Sequence, residues 1–351
     1  MTDIRKTRIN KLRKAMLKNK LDSLLVTDLK NVFYYSGYTG TSAYLVITLE
    51  KLYLITDFRY ITQCIEQCPL FEIVDFKKQN VNKLCESFCA TGFENLSISY
   101  SGYISFSKMF KNLIAIDNMI LNFRAVKSYD EIKSIKKAVE IADKAFSHII
   151  KIAKKGVTEI EIANEIDFFM KRNGASSNSF DTICASGVRG ALPHAFPTTK
   201  KLEYGDLVVL DFGCVCEGYC SDITRTFAVG DIDKEKKKVY DTVLLAQKTA
   251  LENVRKGVKG LDVHNIAQDI IDKEYKGMFG HALGHSVGLD IHESPNLSPK
   301  NDKPLVCGNV VTVEPGIYIP DFCGVRIEDV VYISKNETKV LTKSQKELLY
   351  I

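Results

Sequence analysis

The chain has 351 residues, 45% of them hydrophobic and 26% charged, the balance of a globular protein of two or three domains. Its 48 Lys and Arg against 43 Asp and Glu leave a net charge of +5, which excludes a strongly basic nucleic-acid binder and an acidic disordered chain. Eight prolines and 21 glycines are too few for a low-complexity chain. Six histidines make a low count, yet His281, His285 and His292 share one short stretch.

The first twenty residues are basic, but no apolar run follows them, so they do not read as a secretory leader. Ile9, Leu12, Met16 and Leu17 recur at helical spacing and predict an amphipathic helix. No stretch is long and apolar enough to predict a membrane span. With no leader, the ten scattered cysteines read as reduced thiols of a cytoplasmic protein.

LDSLLVTD, AYLVITL and KLYLITD predict strands, with the turn-rich SGYTGTS between the first two and a short helix in FRYITQCIEQC. NLSISY (95–100) reads as a further strand. These elements make an α/β domain over residues 1–125. A break near 122–127 precedes a capping box, Ser128 with Glu131. Ile132, Ile135, Val139, Ala142, Phe146 and Ile149 then predict a long amphipathic helix ending at Gly156.

Residues 126–351 form the second predicted domain. Within it, KKGVTEIEIANEI (154–166) resembles RKGVKGLDVHNIA (255–267). Each follows a long helix and precedes strand-rich sequence, which predicts two related halves, each of two helices and an antiparallel sheet. Clefts between such halves are favoured ligand sites.

DLVVLDFGCVCEGYCSDITRTFAVG (206–230) reads as a β-hairpin turning at Glu217-Gly218, with Asp211 opposite Thr224 and Gly213 opposite Asp222. Asp211 and Asp222 then share a face. A carboxylate at the end of a buried strand is costly unless paired or metal-bound, and two on one face repel; a divalent cation resolves both. Cys214, Cys216 and Cys220 lack C-x-x-C spacing and read as strand residues, not a thiolate site. The glycines of FGHALGHSVGLDIHES (279–294) argue for close backbone approach around its three histidines. NVVTVEPGIYI places Glu314 at the end of an alternating run, and CGVRIEDVVYI reads as one alternating strand with Arg326 and Glu328 on one face. Asp211, Asp222, His285, Glu314 and Glu328 make an oxygen-rich set suited to a pair of Mn²⁺, Co²⁺ or Zn²⁺ ions. His148 and His264 lie on predicted helices and read as structural.

LDFGCVCEGYCSDITRTF, GHALGHSVGLDIHE, VTVEPGIYI, GVRIEDVV and the upstream ASGVRGALPHAFPT resemble the M24 metallopeptidases of pita-bread fold. NVFYYSGYTGTSAYLVIT and LITDFRY resemble the N-terminal domain of its proline-specific branch. The resemblance implies a creatinase/prolidase-type α/β N-terminal domain followed by an α+β pita-bread catalytic domain with an internal pseudo-twofold repeat. It implies two divalent ions, Mn²⁺ foremost. Asp211 would hold the first ion, Asp222 and Glu328 would bridge, and His285 and Glu314 would complete the set. Glu314 would also act as general base or proton shuttle, with His194 and His292 on the peptide and His281 and Arg326 as further site residues. Arg326 is expected to orient Glu328. The activity implied is that of an Xaa-Pro aminopeptidase, a homodimer cleaving before a proline at the second position. The alternatives are a prolidase restricted to dipeptides and, in another class, a non-enzymatic pita-bread binding module. No nucleic-acid or membrane partner is expected.

Overall fold

The computed structural model describes residues 4–351, which divide into two compact units, the first ending at Phe123 and the second running from Arg124 to Ile351. In the first unit, α1 (Ile4–Lys18) buries Ile9, Leu12 and Met16 on one stripe, while Leu17 points to solvent. Then follow β1 (Ser23–Val26), α2 (Leu29–Ser36), β2 (Tyr44–Thr48), β3 (Leu52–Thr56) and α3 (Ile61–Gln67). The unit continues with β4 (Glu72–Asp75), α4 (Val81–Cys85), β5 (Thr91–Glu94), α5 (Tyr100–Ser107), β6 (Leu113–Ile116) and α6 (Met119–Arg124), whose last residue, Arg124, already belongs to the second unit. The six strands form one mixed sheet ordered β4-β3-β2-β1-β5-β6. Runs such as Leu24-Leu25-Val26 are buried and supply its core.

One local reading fails here, and one element went unread. NLSISY is no strand: its first residues turn after β5, and Ser99 caps α5 by accepting the amide of Gly102. A hydroxyl that can cap a helix overrides the β-branched alternation around it. The second difference is α2, which occupies NVFYYS just before the turn-rich segment. Asp28 caps it through the amides of Lys30 and Asn31, and Gly37 ends it at φ +84°.

The second unit starts with α7 (Tyr129–Ile152), whose Ser128–Glu131 capping box is complete on both arms. It continues through α8 (Glu159–Arg172), β7 (Ser177–Asn178), β8 (Ile183–Ser186) and a 3₁₀ turn at Gly187–Ala191. The hairpin comprises β9 (Leu207–Phe212), β10 (Cys214–Cys216), β11 (Tyr219–Cys220) and β12 (Ile223–Ala228). Glu217 and Gly218 both take positive φ at its turn, and Asp211 stands opposite Thr224. Next come α9 (Lys234–Asn253), α10 (Gly260–Tyr275), β13 (Gly284–Ser286), β14 (Glu293–Leu297) and β15 (Val310–Val313). The last strands are β16 (Gly316–Ile319), β17 (Cys323–Arg326), β18 (Asp329–Ile333) and β19 (Thr338–Val340). CGVRIEDVVYI is therefore two strands: β17 pairs with β16, β18 pairs with β15, and the chain changes sheet at Ile327-Glu328.

The repeat is visible bond by bond. Gly156 (φ +92°) donates its amide to Leu202 O, and Gly257 (φ +89°) donates to Leu305 O. Leu202 returns its amide to Val157 O, and Leu305 to Val258 O. Strand β9 corresponds to β15 and β12 to β18. The antiparallel registers then place Asp211 and Glu314 in one equivalent position, Thr224 and Glu328 in another. Each half has its own core: α7 and α8 over β8-β9-β12, α9 and α10 over β13-β15-β18. Segment 344–351 returns to β12, where Gly230 donates to Ile351 O and Arg225 donates to the carbonyls of Ser344 and Gln345.

Candidate metal centre

Asp211, Asp222, His285, Glu314, Glu328, His194, His281, His292 and Arg326 all line one cleft of about 820 Å³ in the second unit. Position in the fold explains why. Asp211 sits near the end of β9, Asp222 just before β12, Glu314 just after β15 and Glu328 just before β18. His285 is central in β13. Gly284, beside it, has no room for a Cβ against Thr312 O, so the strand approach demands glycine.

Asp222, His285 and Glu328 each offer a donor atom, all within 4.8 Å of one another, and this is the group among the described residues that could hold a metal ion. His285 Nε2 lies 3.2 Å from Glu314 Oε1 and 3.5 Å from Asp222 Oδ2. Asp211 stands at the other edge, its Oδ2 accepting from Arg326 Nη2 at 2.5 Å. Two carboxylate oxygens, Asp211 Oδ1 and Glu328 Oε1, are buried with no hydrogen-bond partner. A buried carboxylate oxygen without a donor is expensive. Burial, reinforced by the neighbouring carboxylates, pushes Asp222 and Glu328 well above the usual carboxyl range and raises Asp211 despite Arg326. Burial also acts against ionisation of the His285–Glu314 pair, but their mutual hydrogen bond and charge win. His285 rises to about 9 and Glu314 falls to about 2. Such a crowd carries protons unless cations replace them, and the donor set of carboxylates and one imidazole fits hard or borderline divalent ions.

The supporting contacts correct one expectation. Arg326 does not pair with Glu328. Its guanidinium reaches Asp211, Tyr318 OH (2.6 Å) and Thr224 Oγ1 (3.1 Å), and Thr224 Oγ1 in turn donates to Glu328 Oε2 at 2.8 Å. The change of sheet at Ile327-Glu328 leaves the Thr224 hydroxyl as the link between the two side chains. Nor are they a surface pair, since Arg326 is 4% and Glu328 1% exposed.

Sequence reading passed over Tyr318, Thr224 and Thr312. Tyr318 OH joins Arg326 to His281 Nε2 at 3.0 Å. Thr312 Oγ1 donates to Glu314 Oε1 and accepts the amide of His285. The threonines had a legible signal, since each lies beside or opposite a carboxylate in strand register; Tyr318 had none. His292 stacks edge-on to His285 with ring centroids 4.4 Å apart, and burial lowers its pKa. His194 lies on the exposed loop after the 3₁₀ turn. His148 pairs with Glu165 between α7 and α8, and His264 accepts the amide of Leu283; neither lines the cleft. Cys214, Cys216 and Cys220 are buried and belong to no metal-holding group among the described residues.

Residues 133–335 match Metallopeptidase family M24, and residues 8–126 match the Creatinase/Prolidase N-terminal domain. The chain is 40% identical to the Xaa-Pro dipeptidase of Pyrococcus horikoshii, over 99% of this chain and all of that one. The solved Xaa-Pro dipeptidase from Bacillus anthracis superposes with a TM-score of 0.96 at 40% identity, covering 99% of this chain and all of that one. The X-Pro aminopeptidase from Thermotoga maritima superposes with a TM-score of 0.88 at 36% identity, covering 95% of this chain and 98% of that one.

Proposed function

The chain belongs to metallopeptidase family M24, and we propose that it is a divalent-metal-dependent Xaa-Pro dipeptidase. The observation that carries metal dependence is the pair of orphaned oxygens, Asp211 Oδ1 and Glu328 Oε1, in a nest of four carboxylates and one imidazole. The preference for dipeptides rests on the relatives at 40% identity, which are named as dipeptidases; this reverses the order suggested by sequence reading, which put the aminopeptidase first. The likeness to the Thermotoga maritima enzyme supports the aminopeptidase as second reading.

In this reading, Asp211, Asp222, His285, Glu314 and Glu328 hold two divalent ions, Mn²⁺ foremost. The ions would polarise the scissile carbonyl and lower the pKa of the attacking water. Glu314 takes the proton of that water at its carboxylate, which the Thr312 hydroxyl already orients. His292, kept near the neutral form by burial, and His194 border the cleft and donate to the peptide as charge develops on its oxygen. Tyr318 and Ala282 O fix the ring of His281, and Arg326 holds Asp211. Residues 1–125 and 126–351 serve as N-terminal and catalytic domains of a cytoplasmic homodimer.

A length series decides between the readings. Purified protein loaded with Mn²⁺ is offered Xaa-Pro, Xaa-Pro-Yaa and longer peptides. Cleavage confined to the dipeptide supports the dipeptidase; equal cleavage of the tripeptide overturns it in favour of the aminopeptidase.

A further inference from the structure

Lys127 precedes the cap of α7, and its side chain is only 1% exposed. Lysine is seldom buried unless its ammonium is fully engaged. Here Nζ donates to Ser286 Oγ at 2.6 Å and to Glu293 Oε2 at 3.0 Å. Arg124, 2% exposed, donates to the other oxygen of Glu293 and to Asp290 Oδ2 at 2.5 Å. The amide of Asp290 also donates to Glu293. At Gly288 a Cβ would come within 2.5 Å of the Glu293 carboxylate, so the carboxylate lies against bare backbone. The cluster balances two cations against two carboxylates. Buried ion pairs contribute little net stability compared with apolar packing, so their value is best sought in geometry.

The geometry is specific. Ser286 and Glu293 are register partners in the β13–β14 pair. Each directly follows a histidine of the cleft, His285 and His292. Ser286 O lies 3.2 Å from His285 Nδ1, a contact that sets the ring and aims Nε2 at Asp222 and Glu314. One ammonium thus bonds the chain neighbours of both imidazoles, whose rings meet edge-on with centroids 4.4 Å apart. The backbone of Lys127 is itself fixed, its amide donating to Gly308 O at 2.8 Å.

We propose that Lys127 is a positioning residue that sets the spacing and ring orientation of His285 and His292 by bonding Ser286 and Glu293 together. The inference rests on the metallopeptidase reading for its consequence in turnover, but its geometric content is tested apart from it.

The test uses full-length protein loaded with Zn²⁺, which keeps NMR signals sharp, and labelled with ¹⁵N-histidine. Six histidines give a spectrum simple enough to assign. In Lys127→Met the ring signals of His285 and His292 are expected to move, while those of His148 and His264 stay. Zn²⁺ content is expected to hold, and kcat/KM on an Xaa-Pro dipeptide to fall about 10–100-fold. Ser286→Ala keeps the ion pair and should move His285 more than His292. Folded Lys127→Met with unmoved His285 and His292 signals overturns the proposal. So does equal movement of every histidine, which marks general loosening. Should Lys127→Met fail to fold, unmoved His285 signals in Ser286→Ala overturn it alone. A wild-type protein inactive on Xaa-Pro peptides would instead sink the functional reading and leave the ring signals to judge this one.

Discussion

The two halves of the second unit share a backbone plan but divide its chemistry. In equivalent positions the first half carries Asp222-Ile223-Thr224-Arg225 and the second Arg326-Ile327-Glu328-Asp329. Twice, an acid in one half answers a guanidinium in the other. In the cleft, Asp211 and Glu314 repeat as acids. Strict symmetry would stack carboxylate on carboxylate or guanidinium on guanidinium in a buried space. The observed asymmetry puts Arg225 on Asp329 at 2.7 Å, both 1% exposed, and lets Thr224 donate to Glu328. The two copies of one scaffold are charged differently where they line the candidate ion site.

The largest effect that would sharpen this comparison is at Asp222, the acid with a guanidinium counterpart. Asp222→Ala is expected to abolish both metal loading and Xaa-Pro turnover, read by elemental analysis and a peptide assay; full activity in metal-depleted protein would break the scheme. Next is the cross-half ion pair. Arg225→Met leaves Asp329 only Lys346 and Gln247, strips the carbonyls of Glu328, Ser344 and Gln345 of their donor, and should cost about 3 kcal/mol in urea unfolding. Adding Asp329→Leu should recover most of that; no recovery would mean the two residues do not act as a pair. Thr224→Val strips Glu328 Oε2 and Arg326 Nε of their shared hydroxyl and should cost about 1–3 kcal/mol.

The smallest effect is a control in the first unit. Burial pushes the Glu94 carboxyl up to about 7, against the amides of Asp28 and Thr27 and the side chain of Asn31, which pull it down. A carboxyl raised in the fold contributes stability that is complete below about 4.5 and lost as pH rises through about 7. Wild-type melting temperature should therefore carry a downward component over that window. Glu94→Gln should flatten it; an unchanged pH profile would remove Glu94 from the account.

Much of the cleft was legible in the sequence because its signals are local. Glu217-Gly218 sets the hairpin register, and that register alone places Asp211 opposite Thr224. The Lys-Gly-Val echo at 155–157 and 256–258 marks turns that recur in structure. What stayed illegible depends on partners far along the chain. Arg326 beside Glu328 looks like a local pair, yet its charge is claimed by Asp211 and Tyr318. The alternation of 323–333 cannot reveal that its two ends pair in different sheets. Short elements failed for a different reason: around Ser99 a capping bond outweighs residue preference.

The docking of segment 344–351 bears on the order in which the chain is made. Arg225 is 1% exposed, and apart from Thr224 O its acceptors are Glu328 O, Asp329, Ser344 O and Gln345 O, all about a hundred residues downstream. Until Gln345 has been synthesised and released, that guanidinium has nowhere dry to go. The first half can collapse on its own core, but the seam between halves must wait. A chain truncated before Ser344 is therefore expected to leave the seam between the halves open to proteases, which limited proteolysis of such a truncation would show.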